Sequence, residues 1–126
     1  GLEEIYTEVG RRLQGIVAPD AVVAAGDIGA LGFFSHTRIL DLLGLVSPQV
    51  VGYYPLPDED YVINFAVSSQ AIIDLHPDYV VVLEVYGRET ILKDPRFLHA
   101  YLLLETIPTD IYGSRGMLVF RRMPSS

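Results

Sequence analysis

The apolar positions of this chain change period along its length, and each change marks an element. Leu2, Ile5, Tyr6, Val9, Leu13 and Ile16 recur at three- and four-residue spacing, forming one stripe of an amphipathic helix from Leu2 to Ile16. Glu3 and Glu4 open that helix and Arg11 and Arg12 lie near its end, the charge order that suits the helix dipole, before Pro19-Asp20 breaks the chain. Two short apolar runs follow, Ala21 to Ala25 closed by Gly26 and Arg38 to Leu43 closed by Gly44, and both have the pattern of central strands. Between them a short helix is predicted from Ile28 to about Phe34, with Asp27 as its cap. The link between the two strands is about ten residues, near the lower limit for a parallel crossover, so antiparallel pairing stays open, while the right-handed crossover usual where a helix intervenes favours the parallel one.

Further along, Ser47 is placed to cap a helical turn beginning at Pro48. Tyr53 to Asp60 holds two prolines and three consecutive acids, a loop whose solvated acidic turn is expected to cap the next helix. That helix is predicted from about Phe65 to Leu75 on the stripe Ala66, Ala71, Ile72 and Leu75, with His76 at its end and Pro77 terminating it. Asp78 to Glu84 is β-branched and apolar except at its ends, and should lie in the middle of a sheet. Tyr86 to Asp94 has the composition of a polar excursion, and Pro95 to Ala100 allows one helical turn with Phe97 and Leu98 facing inward. Strands are predicted at Tyr101 to Ile107 and Met117 to Arg122, joined by a hairpin-like connection with two glycines, and Arg121-Arg122 should leave the sheet at its edge. The expected fold is a single α/β domain over 1–126, of two or three layers, with a mixed, mostly parallel sheet of about five strands ending in an antiparallel hairpin.

Composition narrows the partners. A chain of 126 residues can bury a core without a metal or disulfide. Half of its residues are hydrophobic and its mean hydropathy is +0.32, yet no apolar run approaches the ~18 residues that span a bilayer. The chain opens directly on a helix, without a start Met or a signal-peptide pattern, and is therefore expected to be a soluble piece of a longer protein. A net charge of −7 opposes binding to a nucleic-acid backbone, which needs clustered Lys and Arg. The absence of cysteine excludes disulfides, thiolate metal sites and a cysteine nucleophile.

The candidate chemistry centres on the first strand-turn-strand unit. Gly26 to Gly32 follows a strand and opens a helix, where nucleotide folds offer backbone N–H groups to phosphate. Its spacing is G-x-x-G-x-x-G, however, and Asp27 puts a negative charge where a pyrophosphate would sit. Asp41, near the end of the second strand, is the candidate ribose-binding acid of a Rossmann-like nucleotide or S-adenosylmethionine site; the alternative is that the glycines permit tight packing, Asp27 caps its helix and Asp41 accepts from a neighbouring loop. His36, His76 and His99 lack metal-ligand spacing, and no serine lies in a nucleophile elbow. Asp27, Asp41 and Glu84 are candidates for a carboxylate pair at strand ends, against roles as caps or edge acids. Tyr53, Tyr54, Tyr86, Tyr101 and Tyr112 offer aromatic faces that suit carbohydrate C–H groups, against a plainer role packing loops onto the core.

The blocks D-I-G-A-L-G-F-F-S, R-I-L-D-L-L-G-L-V-S-P, H-P-D-Y-V-V-V and F-R-R, spread from Ala21 to Arg122, resemble the C-terminal soluble domain of bacterial polytopic membrane glycosyltransferases of the GT-C type. The resemblance implies a non-catalytic appendage on the extracytoplasmic face of the cytoplasmic membrane, because the catalytic acid of those enzymes lies in their membrane portion. It implies the membrane part of its own parent chain as partner, a saccharide or lipid-linked sugar as the thing recognised, and no cofactor. Asp27, Gly29, Asp41 and Gly44 match the family pattern and carry over as structural or ligand positions, with no catalytic or metal-binding residue.

Overall fold

A computed structural model describes residues 2–13, 20–26, 38–42 and 47–124. Helix α1 (Leu2–Leu13) carries Glu3 and Glu4 in its first turn and Arg11 and Arg12 in its last, as the charge order predicts. Val9 is its fully buried residue, and on its polar side Glu8 pairs with both Arg11 and Arg12. The predicted helix between the first two strands, with Asp27 and Gly29, lies outside the described residues, as does Gly44.

Five strands form one sheet: β1 (Val22–Ala25), β2 (Arg38–Asp41), β3 (Tyr79–Leu83), β4 (Tyr101–Ile107) and β5 (Met117–Arg122), in the order β2-β1-β3-β5-β4. The domain is thus α/β with a mixed sheet. β1 runs parallel to both β2 and β3, which resolves the pairing that spacing left open, and β3–β5 and β5–β4 are antiparallel. β3 sits in the middle, as its uninterrupted apolar run requires, and all five of its residues are buried. A strand buried on both faces has no use for alternation; Val80, Val81 and Val82 pack on either side of it.

Among the described residues there are four shorter α-helices: α2 (Pro48–Val51), α3 (Ser69–Leu75), α4 (Glu84–Gly87) and α5 (Pro95–Ala100). α3 starts later than the apolar stripe predicts because Ser68 is its cap, the Ser68 hydroxyl accepting from the Ala71 N–H at 3.1 Å. The acids of the Pro57 loop do not perform that task; they form a separate 3₁₀ turn, Asp58–Asp60, with Asp58 and Glu59 exposed. Ser47 does stand at the N-cap position of a helix that begins at Pro48, but its buried hydroxyl makes no capping bond and instead accepts from the Asp41 N–H at 2.8 Å, tying the end of β2 to the start of α2. α5 has Asp94 as cap and Pro95 in its first turn, and it buries Phe97 while Leu98 faces solvent, against the expectation for Leu98. Phe97 stacks on Tyr101 at 4.7 Å between ring centroids and meets Phe120 edge-on at 4.9 Å. The buried Tyr101 hydroxyl donates to the Pro77 carbonyl at 2.7 Å.

Two further expectations are corrected. Tyr86 to Asp94 is no solvated excursion, since Tyr86, Gly87, Thr90 and Ile91 are buried and α4 begins directly where β3 ends. Arg121 and Arg122 do not leave the sheet: both are in register in β5, an interior strand, and the Arg122 guanidinium meets Asp78 at 3.1 Å.

Because Ser68 is almost fully buried and closes the first turn of α3, Ser68→Ala is expected to cost about 1 kcal/mol. Urea denaturation checks this as a lower midpoint with an unchanged m-value.

Candidate functional site at the carboxyl edge of the sheet

The parallel strands β1, β2 and β3 end on the same side, and strand order reverses between β1 and β3, where α/β sheets commonly bind ligands. The chain fills this crevice with its own side chains. Gly26, at the end of β1, donates its N–H to Val81 O at 3.2 Å. A Cβ on Gly26 would lie 3.2 Å from Val82, 3.7 Å from Val67 and 3.8 Å from Tyr86, so this glycine permits close packing between strand and loop. The Val67 N–H bonds to Tyr86 O at 2.8 Å, which fixes the loop before α3 against the segment after β3.

Asp41 ends β2 and is 1% exposed. Its residue is paired with Ala25, which in turn is paired with Val81, so Asp41 and the end of β3 are separated by two strand spacings, about 10 Å. The structure therefore does not bring Asp41 together with Glu84 as an adjacent carboxylate pair. Of the four positions singled out by sequence, Asp41 alone lies within the described residues.

Glu84 is buried and fully engaged. Its two oxygens accept from Arg88 Nε and Nη2, each at 2.7 Å, and Oε1 also accepts from the Arg115 N–H at 3.0 Å. The Arg88 hydrogen bonds, helped by the Arg115 N–H and the positive charge of both arginines, outweigh burial and hold this carboxyl below the usual glutamate value. Arg88 Nη2 continues to the Gly113 carbonyl at 3.0 Å, and the Ser114 hydroxyl accepts from the Val85 N–H at 3.2 Å while donating to Gly116 O at 3.0 Å. The loop between β4 and β5 is thereby bolted to α4.

That loop has a distinctive backbone. Tyr112 (φ 56, ψ 25) and Gly113 (φ 77) are both left-handed, and the Ser114 N–H donates to Ile111 O at 3.0 Å, which makes Ile111 to Ser114 a type I′ turn. Such turns take Asn, Asp or Gly at both centres; a tyrosine at the first costs roughly 1–2 kcal/mol. Tyr112 is nevertheless 57% exposed. Its ring starts a chain of aromatics along this edge: Tyr112 to Tyr86 at 6.4 Å, Tyr86 to Phe65 edge-on at 5.1 Å, and Phe65 to Tyr54 stacked at 6.0 Å. The Tyr54 hydroxyl donates to Ala66 O and accepts from the Ser68 N–H. Burial pushes this phenol up to about 12, the Ser68 N–H opposing, with the negative charge of nearby Asp41 a smaller contribution in the same direction as burial. Of the five tyrosines named from sequence, Tyr54, Tyr86 and Tyr112 share this edge, Tyr101 belongs to the core, and Tyr53 donates to Asp74 at 2.8 Å. Phe65 was not predicted for the edge, because the apolar stripe assigned it to the helix.

A second feature is a polar groove of about 420 Å³ with Asp60, Ser69, Glu89, Lys93, Asp94 and Arg96 on its walls. Most of its charge is spent internally: Lys93 pairs with Glu89, and Arg96 pairs with Asp94 and donates to Gln70. The Asp94 carboxyl is held well below the usual range, first by Arg96 and then by the Ser69 hydroxyl. Asp60 is pushed up by its partial burial and by the charges of Glu59 and Glu89. Among the described residues no group of three or more His, Asp or Glu side chains could hold a metal ion, and no helix is long and apolar enough to cross a membrane.

The depressed Glu84 value gives a sign to pH dependence. Its contribution to stability is complete above the unfolded-chain value of 4.5 and is lost as pH falls through the lower folded value. Glu84→Gln should lose about 1.5–3 kcal/mol at neutral pH and show a flatter acid limb than the native chain, measured by urea midpoints between neutrality and strong acid.

The profile of a family described as a domain of unknown function, DUF8728, matches residues 2–120, nearly the whole chain. No curated protein and no solved structure matches significantly. With a match over both halves of the sheet and the edge just described, the chain belongs to the DUF8728 family.

Proposed function

We propose that this chain is a non-catalytic accessory domain that recognises a saccharide, carried at the extracytoplasmic face of a bacterial cytoplasmic membrane by a glycosyltransferase-like parent. The observation that supports the reading best is the division of roles at the carboxyl edge. One buried acid there, Glu84, is saturated by Arg88 and Arg115, while an aromatic chain ends in an exposed tyrosine. Sites built for sugars pair an aromatic face, which takes the C–H side of the ring, with polar groups that take the hydroxyls. The resemblance of the Asp27-to-Pro48 blocks to membrane glycosyltransferase domains supports the membrane setting, with the parent's own membrane portion as partner.

A nucleotide or S-adenosylmethionine site is the second reading, favoured by the reversal of strand order between β1 and β3. Against it, Val67 and Tyr86 occupy the space over Gly26 where such a ligand approaches the strand end.

Thermal-shift and NMR titrations with methyl β-D-glucopyranoside, methyl α-D-mannopyranoside and N-acetylglucosamine, set beside ATP, NAD and S-adenosylmethionine, separate the two. A ligand at a hundredfold its Kd adds about 2.7 kcal/mol to stability. Saturable shifts with a saccharide and none with the adenine compounds are expected, together with no glycosyl transfer from a lipid-linked donor. A saturable adenine-nucleotide shift abolished by Asp41→Ala would overturn the proposal in favour of the second reading.

A further inference from the structure

We infer that Tyr112 is the stacking platform of this domain, a ring displayed to a pyranose face by a turn whose backbone is strained to hold it there. The inference rests on the saccharide reading and assigns it a residue.

Tyr112 combines two features that stability alone would not select. Its left-handed backbone is disfavoured for a bulky side chain, and its ring, more than half exposed, recovers little by burial. A tyrosine in that conformation is commonly tolerated when it fills a core; this one meets Tyr86 in a tilted contact at 6.4 Å and is 57% exposed. The turn is held from several directions at once. Arg88 binds the Gly113 carbonyl, Glu84 binds the Arg115 N–H, and the Ser114 hydroxyl joins Val85 to Gly116. These bonds attach the turn to the end of the central strand, so the backbone that carries the ring is held in place before any ligand arrives.

The chemistry of the surroundings selects a pyranose. The ring of Tyr112 is apolar on its face and carries a hydroxyl at its tip, and the turn is flanked by exposed Asp110 and Arg115. A sugar with equatorial hydroxyls offers one flat face of axial C–H groups to an aromatic ring while its rim reaches charged and amide partners.

Two variants test the assignment in the 126-residue chain. Tyr112→Asn places a residue that favours the left-handed turn where the ring was, and Tyr112→Phe keeps the ring and the strain. With the tightest-binding of the three saccharides above, followed by NMR titration, Tyr112→Asn is expected to weaken binding at least tenfold while its Tm is no lower than that of the native chain. Tyr112→Phe should bind within about threefold of it. Tyr112→Asn binding within threefold of the native chain, or a fall in its Tm of more than about 5 °C, would show the ring to be a packing residue and overturn the inference. Failure of the native chain to bind any of the saccharides would instead overturn the saccharide reading itself, and the two failures are told apart by the native titration.

Discussion

The sheet depends on how the two ends of β3 are closed. This strand is the seam between a parallel half and an antiparallel half, and each end carries a carboxylate that binds across the seam. At the amino end the Asp78 N–H donates to Val22 O and its carbonyl accepts from the Arg122 N–H, both at 2.8 Å. The Asp78 carboxylate adds the Val22 N–H at 2.8 Å and the Arg122 guanidinium at 3.1 Å, so one residue holds β1 and β5 to β3. At the carboxyl end the Glu84 N–H donates to Gly116 O, and its carboxylate takes Arg88 and the Arg115 N–H. Backbone donors at the ends of short strands are the ones a ladder leaves unpaired, and both acids are placed to satisfy them. Between these ends the buried side chains of Val80, Val81, Val82 and Leu83 are apolar and need no polar partner beyond the sheet itself.

The same closure sets the geometry of the carboxyl edge. Arg88 is held by Glu84 and passes the constraint to Gly113, so the position of the Tyr112 turn is a consequence of how β3 ends. Strain of this kind persists only where surrounding bonds outnumber the freedoms of the strained residue, and here the turn, the ion pair and the Ser114 bridge all act on six residues. On the other side of the edge, Val67 and Tyr86 seal the crevice over Gly26, and the Tyr54 hydroxyl bridges Ala66 and Ser68 to keep the covering loop in place.

All five strands were legible in the sequence to within a residue or two, since apolar runs closed by Gly, Pro or charge leave few choices. The parallel pairing of β1 with β2 was favoured by the intervening helical stretch but not decided, because a link of that length fits either direction and the decision belongs to the whole sheet. Tyr86 to Asp94 was misread for a definite reason: four of its residues are charged, which counts as surface, yet Arg88 lies four residues after Glu84 and the pair neutralises itself against the protein. That spacing was a usable signal. Ser47 and the Pro57 acids were assigned as caps from residue type alone, whereas Asp41 claims Ser47 and Ser68 caps α3. Among the tyrosines, type and count gave a plausible set, but only the Pro77 carbonyl within reach of Tyr101 and the left-handed turn at Tyr112 sort a core ring from a displayed one.

What the edge offers chemically follows from the condition of its acids. A general acid must hold its proton near neutral pH, which calls for a carboxyl raised by burial or by like charge and left free to reach a substrate. Glu84 is the reverse, lowered and saturated by donors, and Asp94 on the groove wall is lowered further by Arg96 and Ser69. Asp60, half-buried on the groove wall, is raised, first by burial and then by the charges of Glu59 and Glu89, and Glu89 is itself bound to Lys93. A carboxylate fixed in its ionised state by several bonds makes a good brace and a poor proton donor. Glu84 is thus spent on fixing a turn, and that turn leaves Tyr112 exposed at the edge.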